Sequence, residues 1–537
     1  MNSINRRFVL LAGLGAAGAG ALAACSGNPS GTPAFAAPSG PAVAAAEKKR
    51  SSTGRTHRTT LTAAPVVLDL GAGTTARTWA FSGQAPGKEI RLSVGDTLAA
   101  ELSNQLPNST TTSIHWHGIA LRNDMDGVPM VTQQAVRSGA NHTYRFITDA
   151  PGTYFFHPHV GVQLDRGLHA PLIVEDPREP LSYDGEWVVV LDDWLDGVVG
   201  TPDEALAEVR HGMGGMAMDG ASGTGSHHDM GDMGGMEGMG MTEDSAKPSD
   251  SSSPAGTSMR FMLMGASSEL LGGDAGDVKY PHHLVNGRVA ADPDVYRSKP
   301  GRRIRLRIIN AGADTAYRVA LGGHQMTITH TDGFPVQQQQ ADAVLIGMGE
   351  RYDVLVTLGD GVFPLIALAE GKNATGMALI RTASGSAPKP TVRPKELNGR
   401  VLTASRLRAA DDVRLLSKTV DRVHRVELTG GMDKYDWSIN GHAFDMDDPA
   451  ARPLTVENGQ RVRLDFVNTT QMWHPMHLHG HTYQLGDHGP RKDTAIVLPQ
   501  QRLSVLFDAD NPGQWMLHCH NAYHGEVGMT ALVAYKS

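Results

Sequence analysis

Residues 512–529 read PGQWMLHCHNAYHGEVGM, and the middle of this stretch places Cys519 between His518 and His520. On a β-strand, residues i and i+2 point to the same face and residue i+1 points to the other. The two imidazoles therefore share one face, and the thiol serves the opposite face. The stretch predicts two neighbouring metal sites built on a single strand.

This stretch belongs to the last of three similar units. Each unit has a glycine followed nine positions later by an asparagine, and a second marker glycine 45 to 51 residues further on. The marker pairs and glycines are Gly95 to Asn104 with Gly152, Gly301 to Asn310 with Gly361, and Gly459 to Asn468 with Gly513. Alternating polar and apolar residues after these glycines indicate half-buried strands. We predict an all-β protein of three β-sandwiches at 61–180, 181–385 and 420–537, with a linker at 386–419.

Composition agrees with a turn-rich β protein and excludes one broad class. The 537 residues include 62 Gly, 30 Pro, 24 His and 23 Met, and the net charge is -8. A nucleic-acid-binding protein would need a basic face, so we expect no nucleic-acid partner. The two cysteines cannot form a disulfide framework.

The N-terminus resembles an export signal. Arg6 and Arg7 precede an apolar run, as in twin-arginine signals, and residues 22–25 (LAAC) resemble a bacterial lipobox that makes Cys25 a lipidated first residue. A plain signal peptide cut elsewhere and an uncleaved anchor are the alternatives. The apolar run is short for a transmembrane helix. We predict an exported, envelope or periplasmic protein that touches the membrane only through this anchor, with a disordered tether at 26–60.

A methionine-rich tract interrupts the middle unit. Residues 203–258 are rich in Gly, Met, Ser and Asp without a period, which predicts a disordered insertion. Thioethers are soft ligands that suit Cu(I), so the tract is a candidate Cu(I) site; a linker with drifted composition is the alternative. Its methionines are Met213, Met216, Met218, Met230, Met233, Met236, Met239 and Met241.

The outer units carry paired histidines at matching places, whereas the middle unit has Ile366 and Leu368 instead. Because each His-x-His pair offers two imidazoles on one face, four pairs offer eight. Matching positions in two similar units predict one metal cluster shared across their interface. The pairs are His115 with His117, His157 with His159, His477 with His479, and His518 with His520.

The thiol face has its own candidate ligands. His474 precedes the third pair, His524 lies five residues after Cys519, and Met529 lies five further on. Two imidazoles, a thiolate and a weak thioether are the ligand set of a blue-copper electron-transfer centre.

Four motifs together resemble the three-domain multicopper oxidases, the family of laccases, cuprous oxidases and copper-resistance oxidases. They are HWHG at 115–118, HPH at 157–159, HPMHLHG at 474–480 and HCHNAYHGEVGM at 518–529. The resemblance implies three cupredoxin-like Greek-key domains and four copper ions. It assigns His474, Cys519, His524 and axial Met529 to type 1 copper, His115 and His477 to type 2, and His117, His157 and His520 to one type 3 copper with His159, His479 and His518 to the other.

The resemblance also implies an activity: electrons taken singly from a reductant reduce dioxygen to water. Asp126 matches an acidic residue that the family places beside the cluster; an Asp-Gly turn is the alternative. A second family acid follows the last ligand histidine directly, but Gly525 stands there and Glu526 is the next candidate.

The reductant is predicted from the methionines. Met472, two residues before His474, matches a position where cuprous oxidases place a methionine, although their acidic partner is Thr470 here. We expect a monomeric enzyme that oxidises Cu(I) in copper tolerance and small phenols as a side activity. The alternatives are a laccase-type oxidase of phenols or aromatic amines, and a copper-sequestering protein.

Overall fold

The computed structural model describes residues 35–211 and 259–537, and these are built almost entirely of β-strands. The helices in those ranges are short: α1 is Pro41–Glu47, α2 is Pro202–Arg210 and α3 is Ala522–Val527. Within the described ranges, none of the helices is long and apolar enough to cross a membrane.

The first sandwich packs two four-stranded sheets, ordered β2-β1-β4-β6 and β3-β8-β7-β5. Leu98, Trp116, Tyr144 and Phe156 fill the core between them. The strands are β1 (Thr56–Gly71), β2 (Thr74–Phe81), β3 (Ile90–Ser93), β4 (Thr97–Asn104), β5 (His115–His117), β6 (Asn141–Ile147), β7 (Gly152–His157) and β8 (Ala170–Glu175).

The middle sandwich has larger sheets, of seven and six strands, and a small ribbon of β10 and β11. The sheets run β13-β12-β9-β15-β20-β17-β18 and β14-β22-β21-β16-β19-β23. The strands are β9 (Gly185–Trp194), β10 (Ser267–Ser268), β11 (Gly273–Asp274), β12 (His282–Val285), β13 (Arg288–Val289), β14 (Val295–Arg297), β15 (Arg303–Asn310), β16 (Tyr317–Leu321), β17 (Met326–Thr331), β18 (Phe334–Ala341), β19 (Ala343–Ile346), β20 (Arg351–Thr357), β21 (Val362–Ala369), β22 (Ala374–Arg381) and β23 (Val401–Leu402).

The third sandwich is ordered β25-β24-β27-β32-β29-β30 and β26-β34-β33-β28-β31, so β33, which carries Cys519, lies inside its sheet. The strands are β24 (Arg422–Thr429), β25 (Ser438–Ile439), β26 (Leu454–Val456), β27 (Arg461–Asn468), β28 (His474–Leu478), β29 (Tyr483–Leu485), β30 (Arg491–Lys492), β31 (Thr494–Val497), β32 (Arg502–Asp508), β33 (Gln514–Cys519) and β34 (Thr530–Tyr535).

The asparagine of each repeat makes equivalent hydrogen bonds in all three sandwiches. Asn104, Asn310 and Asn468 each end a central strand, and each side-chain oxygen accepts a hydrogen bond from the backbone N–H two residues later. Each side-chain NH2 donates to two backbone carbonyls, one of them 29 to 36 residues further along the chain. The marker glycines 152, 361 and 513 also agree, with φ of +154°, +153° and +152°, a region that favours glycine. Repeated hydrogen bonds and dihedrals indicate three copies of one unit.

The structure corrects the expectation of a disordered tether for the part of 26–60 that it describes. Phe35 pairs with Lys536, and the Ala36 N–H donates to the Tyr535 carbonyl at 2.8 Å. Helix α1 then leads into β1, which begins at Thr56. The segment is ordered because Phe35 and Ala36 pair with the chain at the end of β34, a partner that composition alone does not reveal.

The N-terminal boundary of the insertion is also corrected. Residues 202–210, mostly counted as insertion, form helix α2, which begins with a capping box between Thr201 and Glu204. Ala205 and Val209 are buried in the core that contains Cys519. Apolar spacing and a proper cap therefore override the Gly- and Met-rich composition that follows. The methionines 213 to 241 and the export signal with Cys25 lie outside the described residues.

The predicted linker packs onto the middle sandwich. Strand β23 pairs with β19, and Leu397, Leu402 and Leu407 are buried. The described sheets thus extend over 56–175, 185–402 and 422–535.

Candidate metal centre

Strand register sets the histidines of the outer sandwiches opposite one another. In the first sandwich β5 pairs with β7 so that His115 faces His157. In the third, β28 pairs with β33 so that His477 faces His518 and Met476 faces Cys519. Each sandwich thereby presents its imidazoles on one surface and, in the third, the thiol on the other.

The eight histidines converge on one place between the first and third sandwiches. Seven of the eight are buried and His159 is half-buried. Three sets have ligand nitrogens within 4.8 Å of one another, and each set combines histidines from both sandwiches, so all three bridge the interface. The sets are His115, His117 and His477; His117, His157 and His520; and His159, His479 and His518.

Backbone carbonyls fix the orientation of half of these rings. Four Nδ1 atoms lie at hydrogen-bond distance from a carbonyl, which leaves Nε2 free to face the centre. The pairs are His115 with Asp126 at 3.0 Å, His477 with Asp493 at 2.9 Å, His157 with Pro158 at 2.8 Å and His518 with Cys519 at 2.9 Å.

The inward nitrogens have no adequate partners within the protein. His157 Nε2, His159 Nε2 and both nitrogens of His520 are buried without a hydrogen bond. Elsewhere nitrogen faces nitrogen, at 3.1 Å between the Nε2 atoms of His479 and His518. Burial lowers the pKa of these imidazoles, which keeps them neutral. Neutral, unpaired nitrogens aimed at one point are what a metal cluster requires.

A second candidate site lies on the other face of β33. Cys519 Sγ is 3.7 Å from His474 Nδ1 and 3.7 Å from His524 Nδ1, and all three side chains are buried. Met529 is fully buried in the same core, and its carbonyl accepts a hydrogen bond from the Cys519 N–H at 3.0 Å. A thiol and two imidazoles are thus assembled, and the Met529 backbone lies against Cys519.

Similarity to known proteins identifies the family of this chain. Models described as multicopper oxidase match residues 64–179, 264–385 and 418–537. The multicopper oxidase MmcO of Mycobacterium tuberculosis is 45% identical over 530 residues, covering 97% of this chain and 95% of that protein. The chain belongs to the multicopper oxidase family. Its three sandwiches are therefore cupredoxin-like domains, and the family binds copper and uses dioxygen.

Two further relatives of this multicopper oxidase are more distant. A copper resistance protein A homologue of Pseudomonas syringae pv. tomato is 28% identical, covering 84% of this chain and 87% of that protein. The crystal structure of a multi-copper oxidase from Pseudomonas parafulva is 28% identical and covers 89% of this chain and all of that chain, with a TM-score of 0.61.

Copper fits both sites of this multicopper oxidase. The cluster site offers imidazole nitrogens alone, and the Cys519 site adds soft sulfur, the combination that copper prefers. The outer nitrogens of the Cys519 site are already held: His524 Nε2 lies 2.7 Å from Asp277 Oδ2, and His474 Nε2 lies 2.9 Å from Thr470 Oγ1. Thr470, which stands where the resemblance to cuprous oxidases implies an acid, thus lies on the outer side of His474.

Asp126 lies against the cluster. Its carboxylate is fully buried, with Oδ2 2.9 Å from His479 Nδ1 and Oδ1 3.1 Å from His115 Nδ1. Gly127 follows with φ of +81°, and a Cβ there would lie 1.7 Å from the Ile114 carbonyl oxygen. The Asp-Gly turn and the carboxylate beside the histidines are therefore both present.

Glu526 and Met472 are placed differently. Glu526 is exposed and borders a cavity that also reaches His518 and His520. The Met472 side chain is only 2% exposed, so it lies beneath the surface. Glu526 thus faces solvent, whereas Met472 does not.

Two acidic residues beside the metal sites were missed by the sequence analysis. Asp277 from the middle domain holds His524, and although burial lowers the pKa of His524, the charge of Asp277 raises it to about 10. Asp493 Oδ1 lies 3.0 Å from His117 Nε2 and accepts from Arg351. Burial raises the pKa of Asp493, but Arg351 outweighs burial and holds it well below its usual range. Only contacts between distant segments identify either residue.

Proposed function

We propose that this multicopper oxidase is a cuprous oxidase that takes electrons from Cu(I), and to a lesser extent from small phenols, and protects the cell from copper. The oxidase part of this proposal is supported by the alternation of side chains along β33 and the residue that follows it. Cys519 points toward one candidate site, whereas His518 and His520 point toward the other. A single strand thereby joins an electron-accepting site to a dioxygen-reducing one by covalent bonds.

We assign the ligands to four copper ions as follows. The Cys519 site with axial Met529 is the type 1 site, and the contact between His115 and His477, whose Nε2 atoms are 3.3 Å apart, is the type 2 site. Two of the trios support the type 3 pair: His117, His157 and His520, and His159, His479 and His518.

Bound copper would supply one-electron acceptors at the type 1 site and four-electron reduction of dioxygen at the cluster. The protein's own part is to hold and move protons and to exclude water. Asp126, with its buried carboxylate against His479, can hold a proton beside the cluster. Asp493, kept charged by Arg351, fixes His117 by accepting a hydrogen bond from its Nε2–H. Burial of both sites keeps reactive products from bulk solvent.

The choice of Cu(I) as reductant is supported by where the methionine-rich tract leaves the fold. At its start, Arg210 at the end of α2 donates to the Glu526 carbonyl at 3.4 Å. After its end, Glu208 accepts from the backbone of Arg260 and the Leu263 N–H donates to the Asp277 carbonyl at 2.7 Å. Both ends are therefore anchored beside the residues that hold the type 1 histidines. A relative named for copper resistance supports the same choice.

We further propose that the enzyme is exported, anchored through Cys25 and monomeric. A laccase-type oxidase of phenols or aromatic amines is the second candidate. The deep burial of Met472 favours this candidate, because it argues against a Cu(I) substrate site at that position. A copper-sequestering protein is the third, and it would bind copper without consuming dioxygen.

Oxygen uptake by the purified, copper-loaded protein tests this proposal. Uptake should be faster with Cu(I) than with a phenol at equal concentration. Residues 212–258 should be replaced by a short Gly/Ser linker, which leaves α2 intact. Loss of Cu(I) oxidation with phenol oxidation retained supports the cuprous oxidase. If the replacement changes neither the Cu(I) rate nor the phenol rate, the laccase is favoured. Copper binding without oxygen uptake favours sequestration.

A further inference from the structure

A cavity of about 400 Å³ lies between the first and third domains, beside the candidate metal centre. His518, Cys519 and His520 form part of its lining, so it reaches the segment that joins the two proposed copper sites. Its outer lining comes from the loop after Asp126 in the first domain and from the loop around Met446 in the third. The cavity therefore connects solvent to the electron-transfer segment.

Three methionines line this cavity. Met130 and Met446 are unusually accessible for apolar side chains, with 53% and 43% of their surface exposed, and Met516 on β33 is buried in the wall. Exposed apolar side chains that gather at one place mark an interaction site. Because thioether sulfur is a soft ligand, the natural occupant of such a site is a soft cation.

Charge around the cavity also favours a cation. Met446 stands in the sequence DMDD at 445–448, and these three aspartates are exposed. Glu526 and Arg137 line the cavity itself, whereas Asp445 and Asp448 line a second cavity that shares Phe444 and Thr530 with it. The exposed aspartates on either side of Met446 attract a cation toward this loop.

We propose that this cavity binds the substrate Cu(I) through the thioethers of Met130, Met446 and Met516. The proposal rests on the proposed cuprous oxidase function and adds a site for its substrate. Each Cu(I) gives up one electron to the enzyme and becomes Cu(II), and no bond of the protein is made or broken. Cu(II) prefers imidazole and oxygen ligands to thioethers, so oxidation loosens the product.

Silver(I) is the first probe, because it is a soft cation that the enzyme cannot oxidise. Crystals of the copper-loaded protein soaked in a silver salt should show an anomalous peak within bonding distance of the Met130 and Met446 sulfurs. A double variant, Met130→Leu with Met446→Leu, should lose that peak. A silver-soaked crystal with no peak in the cavity would overturn the proposal.

Kinetics with Cu(I) is the second probe. In the double variant we expect the KM for Cu(I) to rise on the order of tenfold, equivalent to about 1.4 kcal/mol of binding, and the ratio of Cu(I) to phenol kcat/KM to fall by the same factor. Met264→Leu is the matched control, because Met264 is 55% exposed and lies outside this cavity.

The outcomes separate this site from the function on which it rests. A native enzyme that oxidises Cu(I) while the double variant keeps the native KM overturns the site and leaves the function standing. A native enzyme without Cu(I) oxidation overturns the function itself. Slower reoxidation by dioxygen with an unchanged KM for Cu(I) would make the cavity a passage for dioxygen, and that also overturns the site.

Discussion

Asp277 Oδ2 lies 2.7 Å from His524 Nε2, although 247 residues separate the two in the chain. The same carboxylate oxygen accepts the Tyr435 hydroxyl at 2.6 Å. A middle domain that carries none of the cluster histidines thus holds a histidine of the candidate type 1 site in the third domain. Its contribution is to fix the ring so that Nδ1 faces Cys519.

Asp277→Asn should raise the type 1 reduction potential and slow turnover. An amide still accepts a hydrogen bond, but it removes a negative charge that favours the oxidised, more positive copper; loss of such a partner costs on the order of 10- to 100-fold in metal affinity or activity. Spectroelectrochemical titration measures the potential. Asp360→Asn, at an exposed carboxylate of the same domain, is the control. An unchanged potential would mean that Asp277 has only a packing role.

Cys519→Ser should abolish both the blue absorption and turnover, because the thiolate supplies the charge-transfer band and the electron route. Serine is similar in size, so the buried site should still fold. Absorption and oxygen uptake are the measurements, and the electron paramagnetic resonance signal of the type 2 copper checks that the cluster is loaded. A variant that stays blue would contradict the type 1 assignment.

Met529→Leu should raise the type 1 potential, because it replaces a weak axial thioether with a side chain that cannot coordinate. The volume is conserved, so the core should tolerate the change with a cost below about 1.5 kcal/mol. Met326→Leu, at a buried methionine of the middle domain, controls for the loss of a thioether as such. Equal potentials for the native and Met529→Leu proteins would show that Met529 is not a ligand.

Asp126→Asn should slow dioxygen reduction while type 1 copper is still reduced at the native rate. The amide cannot deliver a proton, and general acid catalysis typically contributes on the order of 10²- to 10⁴-fold. Stopped-flow absorption separates the two half-reactions. Asp124→Asn is the matched control, since Asp124 pairs with Arg122 and does not contact the cluster histidines. Native reoxidation in Asp126→Asn would remove Asp126 from the proton route.

The sequence predicts those parts of this molecule that depend on local periodicity. The His-x-His pairs and Cys519 indicate their own faces because a strand alternates strictly, and the three asparagines mark equivalent strand ends. Asp277 and Asp493 could not be found in this way, because their roles are contacts between domains. The segment from Phe35 was missed for the same reason: its order comes from pairing with the last strand.

Helix α2 shows a different kind of miss. The signal was present, since Thr201, Pro202 and Glu204 form a cap and Ala205 and Val209 repeat at helical spacing. The composition of the tract that follows concealed it. A capping motif next to a low-complexity segment is therefore a stronger indicator of a helix than the average composition of the region.

Asp353 joins the first and middle domains and should make stability depend on acid pH. Its carboxylate accepts from Thr153 at 2.7 Å, from Arg305 at 2.6 Å and from Arg307 at 3.2 Å. Burial raises the pKa of Asp353, but the two guanidinium groups outweigh burial and bring it to about 2, against about 3.9 in an unfolded chain.

The sign follows from that order of pKa values. A group with a lower pKa in the folded protein stabilises it fully above about pH 4 and loses that contribution as pH falls toward 2, with a total of roughly 2 kcal/mol. Asp353→Asn should lower the thermal midpoint at pH 7, because it leaves two buried guanidinium groups short of a charge partner, a loss of about 3–5 kcal/mol. It should also flatten the native dependence of the midpoint between pH 4 and 2.

Asp184→Asn, at an exposed partner of Arg302, should shift the midpoint far less, because surface ion pairs contribute about 0–1 kcal/mol. Scanning calorimetry across this range compares the three proteins. Equal midpoints for the native and Asp353→Asn proteins at pH 7 would show that the charge of Asp353 does not hold the two domains together.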